Sequence, residues 1–278
     1  MDEIITERSG SILRVELNRP TKKNAMTSSM YVALADVLNG AAADEGVRVV
    51  LWHGAGDSFC AGNDVEDFLR NPPVPDESPQ RRPMSDVEDF LRNSPVPQGS
   101  PQFQLMNALV DFDKPLVAAV QGAAIGGGTT MLTHCDFVYA GESARFQMPF
   151  VDLAVVPEFG SSCSIPARIG HIRASELILL GRPFDARRAL AVGLVTDVVP
   201  DDRLLAIAIE TARSLAAKWP GALRASKRLM TRPFRDQIKA AMKAENDEFT
   251  ARIRSQEARQ ALVAFVERHQ PGHDRSAA

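Results

Sequence analysis

The chain has 278 residues, of which 45% are hydrophobic and 24% charged, and its formal net charge is −3. That length and apolar content suffice for a full hydrophobic core without metals or disulfides. The balanced charge excludes the strongly basic surface that nucleic-acid binding requires.

The three cysteines, Cys60, Cys135 and Cys163, are too few and too widely spaced for a disulfide framework. They suggest a reducing, cytoplasmic setting. The N-terminal residues carry acids and no apolar run, so no secretory signal is expected. Apolar stretches fall well short of the roughly 18 residues of a membrane span, so no membrane partner is expected. The five histidines are scattered, and none pairs with another His or Cys at metal-ligand spacing, so no metal is expected.

In chain order, Ile12, Val15 and Leu17 predict a strand that runs into a turn at Asn18-Arg19-Pro20. Met30, Leu34, Val37 and Leu38 recur at helical spacing, which predicts a helix from Thr27 to about Ala43 with Thr27 as its N-cap. Val47–Trp52 reads as a buried strand. Next comes a tandem repeat: Asp64–Gln80 and Asp86–Gln102 differ at only three positions. So close a match indicates a recent duplication rather than an old stacking repeat. The Pro-rich tails cannot continue a helix, and residues 71–85 are expected to form an inserted loop. One DVEDFLR copy is expected to form a short helix; the sequence does not decide which copy takes the structural position.

Leu116–Val120, Asp136–Ala140 and Leu194–Val199 predict further strands. Helices are expected over about 129–133, 161–169, 172–180, 186–192, 202–217, 222–230, 234–253 and 256–268. Strands and helices alternate early and helices dominate late, which predicts an α/β or α+β core over 1–200 and a helical region over 201–278.

Three segments suggest chemistry. Gly56–Asp64 follows a buried strand and can turn backbone N–H groups into a cleft, although a plain tight turn would look the same. Lys114–Gly128 is a strand that feeds Gly126-Gly127-Gly128. Glycines at a helix start free N–H groups for an anion or a developing oxyanion, and close backbone packing is the alternative. The spacing is not that of a dinucleotide-binding loop. In Asp152–Ser162, Glu158 lies between an apolar run and Phe159. A carboxylate in apolar surroundings is raised toward neutrality and suits a general base; a helix-capping glutamate is the alternative. His134 reads as a packed helix-end histidine. Cys60 and Cys163 lack a neighbouring His to act as nucleophiles. Arg224–Arg235 reads as a solvated face.

The order and spacing of these segments resemble the crotonase (enoyl-CoA hydratase/isomerase) superfamily over nearly the whole chain. The resemblance extends to Arg19-Pro20 with Lys23-Asn24-Ala25-Met26, to Val192–Val199 and to Ala264–Arg268. It implies a crotonase fold, a spiral of ββα units with a C-terminal helical trimerisation region. It also implies a homotrimer or a dimer of trimers acting on an acyl-CoA thioester, with CoA as part of the substrate and no separate cofactor. The oxyanion hole would come from the N–H groups of Asn63 and Gly127. CoA would lie along Lys23, Asn24 and Ala25 and along Ala61, Gly62, Asp64 and Val65, beside Gly126. Phe265 and Arg268 would reach a neighbouring subunit's CoA site.

Hydratases of this family use two glutamates, and the matching positions here are Thr130 and Phe150. Neither serves as a carboxylate base, and both fit a dry pocket. Glu158 instead matches the single base of the peroxisomal-type Δ3,Δ2-enoyl-CoA isomerases, which the Ala61–Asp64 segment also resembles. The expected activity is therefore enoyl-CoA isomerisation with Glu158 as the acid/base. The alternatives are an enoyl-CoA hydratase and a non-catalytic acyl-CoA-binding homologue.

Overall fold

The computed structural model describes residues 2–64, 67 and 99–269, with side chains as far as Ala264. Two strands set the centre of the fold. Every residue of β3 (Val49–Gly54) and of β4 (Leu116–Val120) is buried, because both faces of this sheet are covered. With β1 (Ile4–Ser9), β2 (Ile12–Leu17), β6 (Phe137–Gly141) and β9 (Asp197–Val199) they form a six-stranded sheet in the order β1-β2-β3-β4-β6-β9. Only β1 and β2 pair antiparallel; the other neighbours are parallel. The remaining strands, β5 (Ala123–Ile125), β7 (Arg145–Gln147) and β8 (Phe184–Asp185), form a second sheet. The chain thus steps from the large sheet to the small one, and β4 and β5 are separated only by Gln121-Gly122.

Alternation along the strands divides the core in two. Val15, Leu17, Val50, Trp52, Leu116, Ala118 and Val120 face the main cluster, which includes Met30, Tyr31 and Leu34 of α1 (Ser28–Ala43). Ile12, Val49, Leu51, Val117 and Ala119 face the other side, under Leu204, Ala208 and Ala212 of α7 (Leu204–Ala216). The C-terminal helical region therefore includes a helix that covers the sheet. Among the described residues the other helices are, in chain order, α2 (Pro101–Asp111), α3 (Gly127–Thr130), α4 (Ser161–Ile169), α5 (His171–Leu179), α6 (Ala186–Val192), α8 (Pro220–Ile253) and α9 (Gln256–His269).

The Thr27 hydroxyl caps α1 by accepting from the Met30 N–H, as its side-chain chemistry predicts. The strand expected at Val47–Trp52 lies two residues later, and that expected at Leu194–Val199 shortens to its last three residues. The two helices expected over 222–230 and 234–253 are one helix, α8, with Pro233 inside it. Proline there removes one intrahelical hydrogen bond. Anchors on both sides hold the helix: Lys227 Nζ reaches Asp136 at 2.7 Å, and Lys239 Nζ reaches Asp111 at 2.8 Å.

The second repeat copy ends in structure that the sequence did not suggest. Ser100 caps α2 through the Phe103 N–H, and Pro101 occupies its first turn, where a missing N–H costs nothing. The first copy contributes its opening: Asp67 accepts from the Ser28 N–H at the start of α1, and its own N–H donates to Asp64. The expected inserted loop at 71–85 lies outside the described residues.

Candidate active site

Glu158 sits in a strained connection just before α4. Phe159 (φ 63°) and Gly160 (φ 66°) are consecutive left-handed residues just before α4, and a bulky residue in that region costs roughly 1–2 kcal/mol. Two side chains from elsewhere hold the turn. His134 lies 2.8 Å from the Phe159 carbonyl through Nε2; a carbonyl only accepts, so Nε2 carries the proton. Burial keeps this imidazole neutral and lowers its pKa to about 4. From α8, Glu245 accepts the Gly160 N–H at 2.7 Å and the Ser162 N–H at 2.8 Å. Glu245, not Glu158, therefore satisfies the orphan amides at the start of α4.

Glu158 is left without that role. Its Oε1 is buried and has no hydrogen-bond partner among the described residues. Burial first, and then the negative charge of Glu245, raise its pKa to about 7, against a lowering contribution from Asn63. The Asn63 amide is oriented in turn by Tyr31 of α1, whose hydroxyl donates to Oδ1 at 2.6 Å. Burial, then the charge of Glu158, push the Tyr31 phenol well above its ordinary pKa, so it remains a donor. Its ring stacks on Phe159 at 6.5 Å.

The two glycine turns meet this carboxylate. Cys60 and Ala124 bridge the loop after β3 to β5, which brings Asn63 and Gly127 to one side of Glu158. A Cβ on Gly127 would stand 2.8 Å from Glu158 Oε1. Several neighbouring amides are consumed by the fold: Asp64 N–H goes to Met26, Gly126 N–H to Gln147, and Thr129 N–H to Gly126. Those of Asn63 and Gly127 donate to nothing among the described residues. Gly126 adopts φ 54°, ψ −119°, a conformation essentially restricted to glycine.

A small cavity of about 40 Å³ opens on this group. Asn63 and Glu158 line it from the loops, Gln102 and Met106 from α2, and Met242 and Glu245 from α8. Sequence reasoning missed Tyr31, Gln102 and Glu245. Tyr31 reads as one more apolar position of α1, Gln102 lies in the repeat, and Glu245 sits in a charged stretch of a long helix without local signal.

The other residues singled out by sequence fall into four groups. Lys23, Ala25, Ala61 and Gly62 are brought together, since Ala61 N–H donates to the Lys23 carbonyl at 3.0 Å and Met26 N–H to that of Gly62 at 2.8 Å. Asn24 and Asp64, on the segments along which CoA is expected to lie, turn their side chains into the fold. Asn24 is fully buried, accepts from the Arg19 N–H and donates to the carbonyls of Ala55 and Ser58. Asp64 is buried in an ion pair with Arg19 at 2.8 Å. Both side chains are latches within the loop. Thr130 and Phe150 do not line the cavity beside Glu158: the Thr130 hydroxyl donates back to the Gly126 carbonyl at 3.3 Å, and Phe150 is core. Val65 lies outside the described residues. Phe265 and Arg268 lie on α9, beyond the described side chains; that helix lies against the Val151–Leu153 turn of its own chain.

Among the described residues, no group of three His, Cys, Asp or Glu could hold a metal ion. No described helix is long and apolar enough to cross a membrane.

Comparison with known proteins gives the family. Residues 7–275 match the family model described as Enoyl-CoA hydratase/isomerase. Enoyl-CoA delta isomerase 2 of Rattus norvegicus is 33% identical over 265 residues, covering 95% of this chain and 63% of the rat protein. The chain thus spans under two thirds of that relative. The 2,3-dehydroadipyl-CoA hydratase of Escherichia coli is 30% identical over 274 residues, 98% of each chain. Among solved structures, OdaA from Pseudomonas aeruginosa superimposes with a TM-score of 0.85 at 41% identity, covering 97% of this chain and 100% of that one. The two-sheet architecture is accordingly the crotonase fold, and the chain belongs to the enoyl-CoA hydratase/isomerase family.

Proposed function

We propose that this chain is a Δ3,Δ2-enoyl-CoA isomerase-like enzyme in which Glu158 is the one acid/base. In this reading the thioester oxygen lies between the N–H groups of Asn63 and Gly127. Glu158 removes a proton at C2, the two amides hold the dienolate, and the same carboxyl returns the proton at C4. The observation that supports it most is the buried Glu158 carboxylate, with an oxygen free of partners among the described residues and a pKa of about 7. Such a group accepts and donates a proton with little loss in either direction. Each oxyanion donor would supply roughly 2.7–4 kcal/mol of transition-state stabilisation. CoA belongs to the substrate, so no separate cofactor enters this scheme, and assembly as a trimer or a dimer of trimers belongs to the same proposal.

The second reading is hydration, favoured by the likeness to the E. coli hydratase and by a second carboxylate, Glu245, on the same cavity. Both oxygens of Glu245 already accept backbone N–H groups, which leaves it poorly placed to activate water. Steady-state assays with a trans-3-enoyl-CoA and a trans-2-enoyl-CoA separate the two. Isomerisation of the first, lost in Glu158→Gln with thioester binding retained, is the expected result. Full isomerase rate in that variant refutes the role of Glu158. Robust 3-hydroxyacyl-CoA formation from the second substrate favours hydration, and binding without any product would indicate a non-catalytic homologue.

A further inference from the structure

We infer that Glu245 is a positioning residue: its carboxylate, anchored on the Gly160 and Ser162 amides, fixes the turn that aims Glu158 into the cavity. The inference rests on the assignment of Glu158 as the base. Three observations carry it. Glu245 comes from α8, about 85 residues further along the chain, yet is buried against this turn. It uses one oxygen for each amide, at 2.7 and 2.8 Å. It also lines the same cavity as Glu158, so both the turn and the charge beside the base depend on it.

Two buried carboxyls facing one cavity do not both ionise freely. Burial raises Glu245, while the Ser162 and Gly160 donors oppose that rise. Glu158 Oε1 has no such donor, so the proton goes to Glu158 and the charge stays on Glu245. Among the described residues, the other titratable groups facing Glu158 are Tyr31 from α1 and Cys60 from the loop after β3. Burial raises both, Cys60 to about 12, so each is neutral. His134, behind Phe159, is neutral as well. Among the described residues Glu245 is thus the charge that Glu158 senses, and its removal makes Glu158 a weaker base.

The test is Glu245→Gln and Glu245→Asp in the full chain, assayed with a trans-3-enoyl-CoA across pH. The glutamine keeps the shape, loses the charge and turns an N–H toward an amide donor. The expected result is a fall in kcat of about tenfold or more with KM nearly unchanged, and an acidic limb of the kcat/KM profile that moves to lower pH. The aspartate keeps the charge but is one methylene too short to reach both amides. It should lose kcat while its acidic limb stays near that of the wild type, and it carries the test alone if the glutamine variant does not fold. A folded Glu245→Gln enzyme with unchanged kcat and pH profile overturns the inference. If Glu158→Gln is inactive in the same series, only the role of Glu245 falls; if Glu158→Gln is fully active, the base assignment falls first.

Discussion

Replacing Gly127 by alanine separates catalysis from folding. The new methyl would stand 2.8 Å from Glu158 Oε1, 3.5 Å from Phe159 Cε2 and 3.6 Å from Tyr31 Oη. Only the first contact is too close, and its atom is the end of a side chain. The carboxylate must retreat by roughly 0.5 Å or more to reach ordinary van der Waals distance. A displacement of about 1 Å costs on the order of 100-fold in rate, so Gly127→Ala should lower kcat by about 10- to 100-fold. Its stability should stay at the wild-type level or rise by up to about 1 kcal/mol, because alanine restricts the unfolded chain. The neighbour behaves oppositely. A Cβ on Gly128 meets the backbone oxygen of Cys60 at 2.3 Å, where no side chain can yield. Gly128→Ala should destabilise the fold by about 1–3 kcal/mol or more. Steady-state isomerase assays paired with thermal melts read both effects. A Gly127→Ala enzyme with wild-type kcat, or one destabilised as much as Gly128→Ala, refutes the reasoning.

Other outcomes follow from the same contacts. Because Glu158 works deprotonated, kcat/KM should rise with pH through a value near 7, read from a pH profile; a limb near pH 4.5 would contradict the burial argument. Its raised pKa also means that the folded state holds this proton more tightly than the unfolded chain does. The resulting stability is present at low pH and lost as pH rises toward about 7. Glu158→Gln should therefore melt higher than the wild type at pH 8, by up to about 3 kcal/mol. Tyr31→Phe leaves Asn63 Oδ1 without its donor, and should cost about 1–3 kcal/mol of stability and lower kcat, in denaturant titration and rate assays respectively. Gln102 Oε1 is buried without a partner among the described residues. Gln102→Met should raise the melting temperature by the recovered desolvation, about 1–3 kcal/mol.

Much of the large sheet was legible because its signals are local. Leu116–Val120 is a short apolar run closed by glycine, and Thr27 announces α1 by its capping chemistry. The elements that escaped are those whose signals are not. β5, β7 and β8 have two or three residues, too few to show a period. β1 is a mostly exposed edge, so it shows no alternation of apolar and polar residues. The site divides in the same way. Asn63, Gly127 and Glu158 lie in glycine- or proline-marked turns that sequence resemblance picks out. Glu245 and Tyr31 act through contacts with residues about 85 and 32 positions away, and no local pattern encodes such a partner. Asn24 carries a second role that its place in the loop did not announce: its buried side chain is a latch between turns.

The central claim is that one carboxylate moves a proton at the carbon next to the thioester. NMR of an acyl-CoA thioester incubated with the enzyme in D₂O reads this step directly. The account predicts deuterium at C2 with the wild-type chain and none with Glu158→Gln, at equal occupancy of the site. Equal exchange in both proteins would place the base elsewhere and contradict the account.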